Sequence, residues 1–248
     1  MLMRIAGLNM KLIYDIEKRV NALLHKNFSS EAYWIARYAE GGNSGAGSYG
    51  KLATYKASIL NEFVNKYQVK SVIEYGCGDG NQLKLAKYPN YLGFDVSPAA
   101  ISSCKDIFQF DKSKNFKLMK DYNGERAELI LSLDVIFHLV EYDIFESYIK
   151  RLFESSNRFV IIYSSDADQI EERREFIYRL RKFVYRLTSQ GLHEKHRKFT
   201  NYINQNINGW KLISYIPNKY PYNPNTGEGS ISNFYVYEKF SEIDDKRS

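Results

Sequence analysis

Cysteine is nearly absent from this chain of 248 residues. There are two, Cys77 and Cys104, and they form neither a C-x-x-C pair nor any spacing used by metal ligands. That argues against a disulfide framework or a structural zinc site and makes a reducing compartment, the cytoplasm, the expected location. No stretch approaches ~20 uninterrupted apolar residues, so nothing is expected to span a membrane. The opening "MLMRIAGLNM" is apolar, but Arg4 interrupts it and no small-residue cleavage pattern follows, so it reads as an irregular lead into a helix rather than a signal peptide. Lys and Arg number 35 against 29 Asp and Glu, a net charge of +6, yet they form no long block and cluster only moderately between residues 171 and 198. Anionic partners are permitted; nucleic acid is not specifically indicated. There is no internal repeat, and nothing sets an oligomeric state.

What the chain does have is aromatic surface, with 21 Tyr and 15 Phe. Tyrosine suits stacking on sugars or bases; an AT-rich coding bias accounts for the count equally well. Apolar content of 44% and the length predict one generous domain, or one domain with a helical extension. Apolar residues at helical spacing (Leu12, Ile13, Ile16, Val20, Leu23, Leu24) predict one or two amphipathic helices over 11–38. The glycine-rich "EGGNSGAGSYG" follows, and then a helix, "KLATYKASILNEFVNKY", with the stripe Leu52, Ile59, Leu60, Phe63 and Val64.

From residue 70 the texture alternates. Strands are predicted over 71–75, 91–94, 115–119, 128–133 and 158–163, with helices over 81–88, 98–110 and 142–153 between them. This is the pattern of an open, doubly wound α/β sheet. A long helical segment is expected after Tyr163 to about residue 190, and a further helix over 197–208. Two closing strands, "WKLISYI" and "SISNFYVYEKF", predict an antiparallel edge, and the tail 241–248 reads as frayed.

In such a sheet the ligand lies beyond the carboxyl ends of the strands, where the first strand-to-helix turn bares its backbone. Gly76-Cys77-Gly78-Asp79-Gly80 is that turn. G-x-G-x-x-G is not met, because Asn81 holds its last position, and a P-loop ending is missing. What stands is an acidic residue, Glu74, before three alternate glycines, with Asp95 at the end of the second strand. A carboxylate there accepts both hydroxyls of a ribose and repels a 2′-phosphate.

With "VIEYGCGDG", "LGFDVS", "LMKDY" and "LILSLDVIFHL" in order, residues from about 70 to 163 and the closing strands resemble the class I S-adenosylmethionine-dependent methyltransferases. The resemblance implies a mostly parallel, seven-stranded Rossmann-like sheet with an antiparallel last strand and an N-terminal helical extension. It implies S-adenosylmethionine as cofactor and S-adenosylhomocysteine as product. It places Gly76, Gly78 and Gly80 along the methionyl part, with Cys77 a small filler between them, and Glu74 near the amino group. Asp95 takes the ribose, Asp121 and Tyr122 border the adenine, and Val96 and Leu133 complete the set. The expected organisation is a helical lid over 1–66, a methyltransferase domain over 67–240 and a tail.

After the fourth strand the Asn/Asp-Pro-Pro-Tyr/Phe motif of amide and base methylation is missing. Instead "SLDVIFHLVE" offers His138 as general base for a hydroxyl, oriented by Asp134; the plainer reading has His138 packing under the next helix. "GLHEKHRKF" sets His193, His196 and Arg197 at the amino end of a helix, where they would hold an anion of the acceptor, or where His196 would be the base; a solvated basic turn is the alternative. The glycine-rich segment reads as a lid, with Ser48 and Tyr49 touching the acceptor, or as a linker. Tyr220 and Tyr222, between the closing strands, would stack on sugar rings. "YWIARY", "GGNSGAGSYG" and "LATYKASILN" resemble methyltransferases of polysaccharide synthesis. The expected acceptor is therefore a sugar hydroxyl of a glycan or its precursor, or another small hydroxylated molecule. Asp134, Asp166 and Asp168 would suit magnesium, but "YSSDAD" reads better as helix capping, so no metal is expected. The rivals are an RNA or protein methyltransferase using the basic stretch 171–186, and a cofactor-binding module without turnover.

Overall fold

The computed structural model describes residues 28–167 and 193–240. The parallel strands are β1 (Val72–Tyr75), β2 (Tyr91–Asp95), β3 (Lys114–Leu118), β4 (Ala127–Leu133) and β5 (Ser156–Ser164), followed by β6 (Trp210–Ile216) and β7 (Asn233–Lys239). They form one seven-stranded sheet in the order β3-β2-β1-β4-β5-β7-β6, in which β7 runs antiparallel to both its neighbours. The order reverses between β1 and β4, and the crevice outside their carboxyl ends is where a doubly wound sheet binds its ligand. The expected architecture is the one observed.

Helices α1 (Ser30–Ala39), α2 (Gly50–Lys66), α3 (Pro98–Ile107), α4 (Tyr142–Glu154) and α5 (Phe199–Asn206) flank the sheet. Side chains of a strand alternate between faces. Val72 joins Leu60 and Val64 of α2 and Ile101 of α3 on one side; Ile73 and Tyr75 join Phe145 and Ile149 of α4 and Phe199 of α5 on the other. Helix α3 starts where Ser97 accepts from Ala100 N, with Pro98 in the first turn. Leu60 is fully buried at the centre of α2. Leu60→Ala is expected to lower unfolding free energy by about 2–5 kcal/mol, read by urea denaturation.

The helix expected over 81–88 shrinks to a 3-10 turn, Gln82–Leu85. Ala86 is already extended (φ −87°, ψ 143°), and Pro89 bars the α conformation at Tyr88. The amino end of a full helix therefore does not back the glycine turn, so its positive potential is not available there. The helix expected over 197–208 is α5, shorter at both ends. No helix among the described residues is long and apolar enough to cross a membrane. The helices expected before residue 28, Asp168, the basic stretch 171–186 and the tail 241–248 lie outside the described residues.

Candidate active site

A cavity of about 340 Å³ opens at the carboxyl ends of β1, β2 and β4. Of the expected cofactor residues, Glu74, Gly76, Cys77, Gly78, Asp95, Val96 and Leu133 line it. Gly76 and Gly78 have φ of +79° and +58°, the left-handed region that glycine enters without strain. A Cβ at Gly76 would stand 2.5 Å from Val135 Cγ2, and one at Gly78 would overlap Ser44 Oγ. Gly76 N and Cys77 N donate to Phe94 O, at 2.7 and 3.0 Å, which ties the turn to the end of β2. Asp95 Oδ2 then accepts from Gly78 N and Oδ1 from Ser97 N, both at 2.9 Å. Burial pushes the Asp95 carboxyl up, and the backbone donors of Ser97, Gly78 and Val96 act against it. The Cys77 thiol is pushed well up by its hydrogen bond with Cys104 and by burial, which suits an inert filler.

Three expected cofactor residues do not line the cavity. Gly80 faces the other way, where a Cβ would meet Cys104 Sγ at 3.0 Å and Phe108 Cε2 at 3.2 Å; its bareness serves loop-to-helix packing. Asp121 ends a 3-10 turn, Met119–Asp121, and is exposed, while Met119 lines the cavity in its place. Tyr122 packs behind the wall against Phe94, with ring centroids 5.6 Å apart.

Glu74 is buried and accepts from Tyr91 Oη at 2.7 Å. Burial pushes its carboxyl up to about 7, against the Tyr91 hydroxyl and the charge of Lys56. A folded value above the unfolded 4.5 means stability is fullest below pH 4.5 and falls as pH rises through 7. The fall should reach about 3 kcal/mol and be missing in Glu74→Gln, as thermal melts across pH 4–8 would read out.

The roof is formed by residues between 29 and 48. Ser30 N and Oγ donate to the two carboxylate oxygens of Glu141, at 2.8 and 2.5 Å, and dock α1 at its first turn. The glycine-rich segment is pinned onto the glycine turn. Ser44 N donates to Asp79 Oδ2 and Asp79 N to Ser44 Oγ, both at 3.0 Å. Tyr49 Oη donates to the same carboxylate at 2.7 Å. Burial would raise the Asp79 carboxyl, but the donors from Ser44, Asn81 and Tyr49 outweigh it and hold it low. Ser48 lines the cavity with Trp34 and Tyr38, whereas the Tyr49 hydroxyl is committed to this latch.

At the other end Asp134 follows β4 at φ +59°, a strained position for a residue other than glycine. Its carboxylate does not orient His138. It accepts from Lys56 Nζ at 2.9 Å and from Ser232 Oγ at 2.8 Å. His138 lines the cavity, and its Nδ1 lies 3.0 Å from the carbonyl of His193. Since a carbonyl only accepts, Nδ1 carries the proton and Nε2 the lone pair. Burial, with the neighbouring positive groups, lowers its imidazole to about 3. Trp34 meets its ring edge-on, with centroids 4.9 Å apart.

The "GLHEKHRKF" residues stand behind this wall. His193 stacks between Tyr33, 4.6 Å away, and His138, 5.2 Å away. His196 Nδ1 lies 2.7 Å from Ser165 Oγ. Arg197 donates to Leu139 O and Val140 O, both at 2.5 Å, and so braces the loop after β4. None of the three lines the cavity, and neither do Tyr220 or Tyr222; Tyr220 packs against Tyr55, 6.1 Å between centroids. Asp166 accepts from Thr200 N and Oγ1 in the first turn of α5, at 3.0 and 2.6 Å, and Asp134 is held by Lys56; among the described residues neither belongs to a cluster of potential metal ligands. Among the described residues the donor atoms that do converge, within 4.8 Å of one another, belong to His138, His193 and Glu194.

A family model described as a methyltransferase domain matches residues 36–204. No curated protein matches the chain. Among solved structures it is similar to N-methyltransferase NodS from Bradyrhizobium japonicum WM9 in complex with S-adenosyl-L-homocysteine (12% identity, 85% of this chain and 99% of that one, TM-score 0.61). The methyltransferase domain of bacterial CtHen1-C is also similar (18% identity, 76% and 98%, TM-score 0.55). So is magnesium protoporphyrin IX methyltransferase from Synechocystis PCC 6803 with bound SAM (11% identity, 86% and 99%, TM-score 0.55). At such identities the likeness is one of fold.

Proposed function

Because the chain belongs to the family described as a methyltransferase domain, we propose that it moves a methyl group from S-adenosylmethionine to a hydroxyl oxygen, with a sugar of a glycan or glycan precursor as acceptor. The residues present suit that donor. The main chain is bare at Gly76 and Gly78, and the buried Asp95 carboxylate is held by two backbone donors. The cavity of about 340 Å³ lies in the range of small-molecule sites. In this reading Asp95 takes the ribose hydroxyls and Glu74 the amino group. When bound, the donor supplies a methyl carbon on a positively charged sulfur, whose C–S bond breaks as the C–O bond to the acceptor forms.

A hydroxyl that gains a methyl must lose its proton, and His138 is the observation that carries the choice of oxygen. Its Nδ1–H is given to the His193 carbonyl, so Nε2 keeps a lone pair for the acceptor proton. The low value of about 3 keeps the imidazole neutral at physiological pH. A weak base suffices, because a hydroxyl proton becomes far more acidic as its oxygen bonds to carbon. Trp34 and Tyr38 in the cavity wall supply the flat apolar faces on which sugars stack. The test is mass spectrometry after incubation with S-adenosylmethionine and oligosaccharides, nucleotide sugars, RNA or peptides. A methyl ether on a sugar is expected; methylation confined to RNA or peptide would overturn the acceptor class.

A further inference from the structure

We propose that Lys56 and Gln82 form a clamp for a zwitterionic α-amino acid end, Lys56 for its carboxylate and Gln82 Oε1 for its ammonium. Resting on the reading above, that end is the methionyl part of the methyl donor. Neither residue belongs to the glycine motif. Lys56 lies in α2, among Ala53, Tyr55, Ala57 and Leu60, and is fully buried. Hydrophobic packing gives no reason for an ammonium there. It lines the cavity, lies over the Tyr163 ring at 5.3 Å and donates to Asp134 Oδ2 at 2.9 Å. An ammonium has three donors, and among the described residues only this one hydrogen bond engages it. A second carboxylate can therefore join without displacing Asp134.

Gln82 supplies the complementary half. It is buried, lines the cavity, and its Nε2 donates to Ala53 O at 3.0 Å. Ala53 lies one helical turn before Lys56, so both side chains are referenced to the same turn of α2. The Oε1 of Gln82 is buried with no hydrogen-bond partner among the described residues. A buried acceptor left without a donor is costly and calls for an occupant, and an ammonium supplies the missing N–H. Glu74, on the same cavity wall, gives that ammonium a second acceptor. The lid closes over the other side: a Cβ at Gly47 would meet Asp134 Oδ2 at 2.8 Å and Lys56 Nζ at 4.0 Å. Charges shielded from water in this way interact more strongly with a ligand than exposed ones do.

Calorimetry with two ligands tests the clamp: S-adenosylhomocysteine, and methylthioadenosine, which keeps the nucleoside and the sulfur but has no amino acid end. Wild type should bind S-adenosylhomocysteine at least about 100-fold more tightly. Lys56→Met should weaken S-adenosylhomocysteine by about 10- to 100-fold and Gln82→Met by about 10-fold, with methylthioadenosine unchanged in both. Equal weakening of both ligands in the variants would make these residues structural props and overturn the proposal. Equal binding of the two by wild type would overturn the clamp alone, whereas binding of neither would overturn the methyl-donor reading and the clamp with it. Should Lys56→Met fail to fold, wild type is titrated with decarboxylated S-adenosylmethionine against S-adenosylmethionine. The ligand without the carboxylate should bind about 10-fold or more weakly, and equal affinity would overturn the role of Lys56.

Discussion

Asp95→Ala should abolish measurable binding of S-adenosylhomocysteine while leaving the protein folded. The carboxylate is a buried acceptor for Gly78 N and Ser97 N, so it shapes the glycine turn as well as facing the ligand. Its removal deprives a ribose of its acceptor and leaves two buried N–H groups without partners. Hydrogen bonds to charged groups are worth about 1.5–3 kcal/mol each, so two of them amount to a loss of about 10²- to 10⁴-fold in affinity. Asp95→Asn keeps an acceptor for one backbone donor and should fall between the two. Calorimetry gives the affinities and circular dichroism the fold. A folded Asp95→Ala protein binding within about 3-fold of wild type would contradict the assignment.

His138→Ala should leave that affinity within about 3-fold and cost turnover about 10²- to 10⁴-fold, the usual weight of a proton acceptor. The two losses separate because the histidine lies at the end of the cavity formed by the loop after β4, away from the Asp95 end. Its pH signature should also be distinctive. An ordinary histidine would lose activity as pH falls through 6.5, but burial holds this one near 3. The acid limb of kcat/KM attributable to it should therefore lie well below pH 6.5, and activity should hold at pH 6. Unchanged turnover in His138→Ala would assign the proton to another group.

The sheet was legible because its strands are short apolar runs at regular spacing. Glycines at alternate positions with a carboxylate 15 residues beyond the last of them then located the cavity. The misreadings came where side chains are claimed by tertiary partners that a linear reading does not see. Asp134 lies four residues before His138, a spacing that suits an orienting carboxylate, yet Lys56 from a helix 78 residues earlier holds it. Arg197 sits beside a helix amino end, yet its guanidinium is spent on two carbonyls of the loop after β4. Asp121 and Tyr122 follow β3 as expected, but the 3-10 turn there leaves Asp121 exposed and gives the wall to Met119. That Lys56 and Gln82 line the cavity was not legible. A lysine among apolar residues of a good helix reads as a solvated interruption, and the one hint was its place between Tyr55 and Ala57 on a face that also carries Leu52 and Leu60. The glycine-rich segment was legible as irregular chain, but its hydrogen bonds to Asp79 were not, since that aspartate stands in the ligand turn.

The most direct test is a crystal structure of the protein with S-adenosylhomocysteine. The account predicts the nucleoside in the crevice between β1 and β4, its ribose hydroxyls on Asp95 and its thioether chain along Gly76 and Gly78 beneath α1. Density for the nucleoside elsewhere, with another molecule filling that crevice, would contradict it.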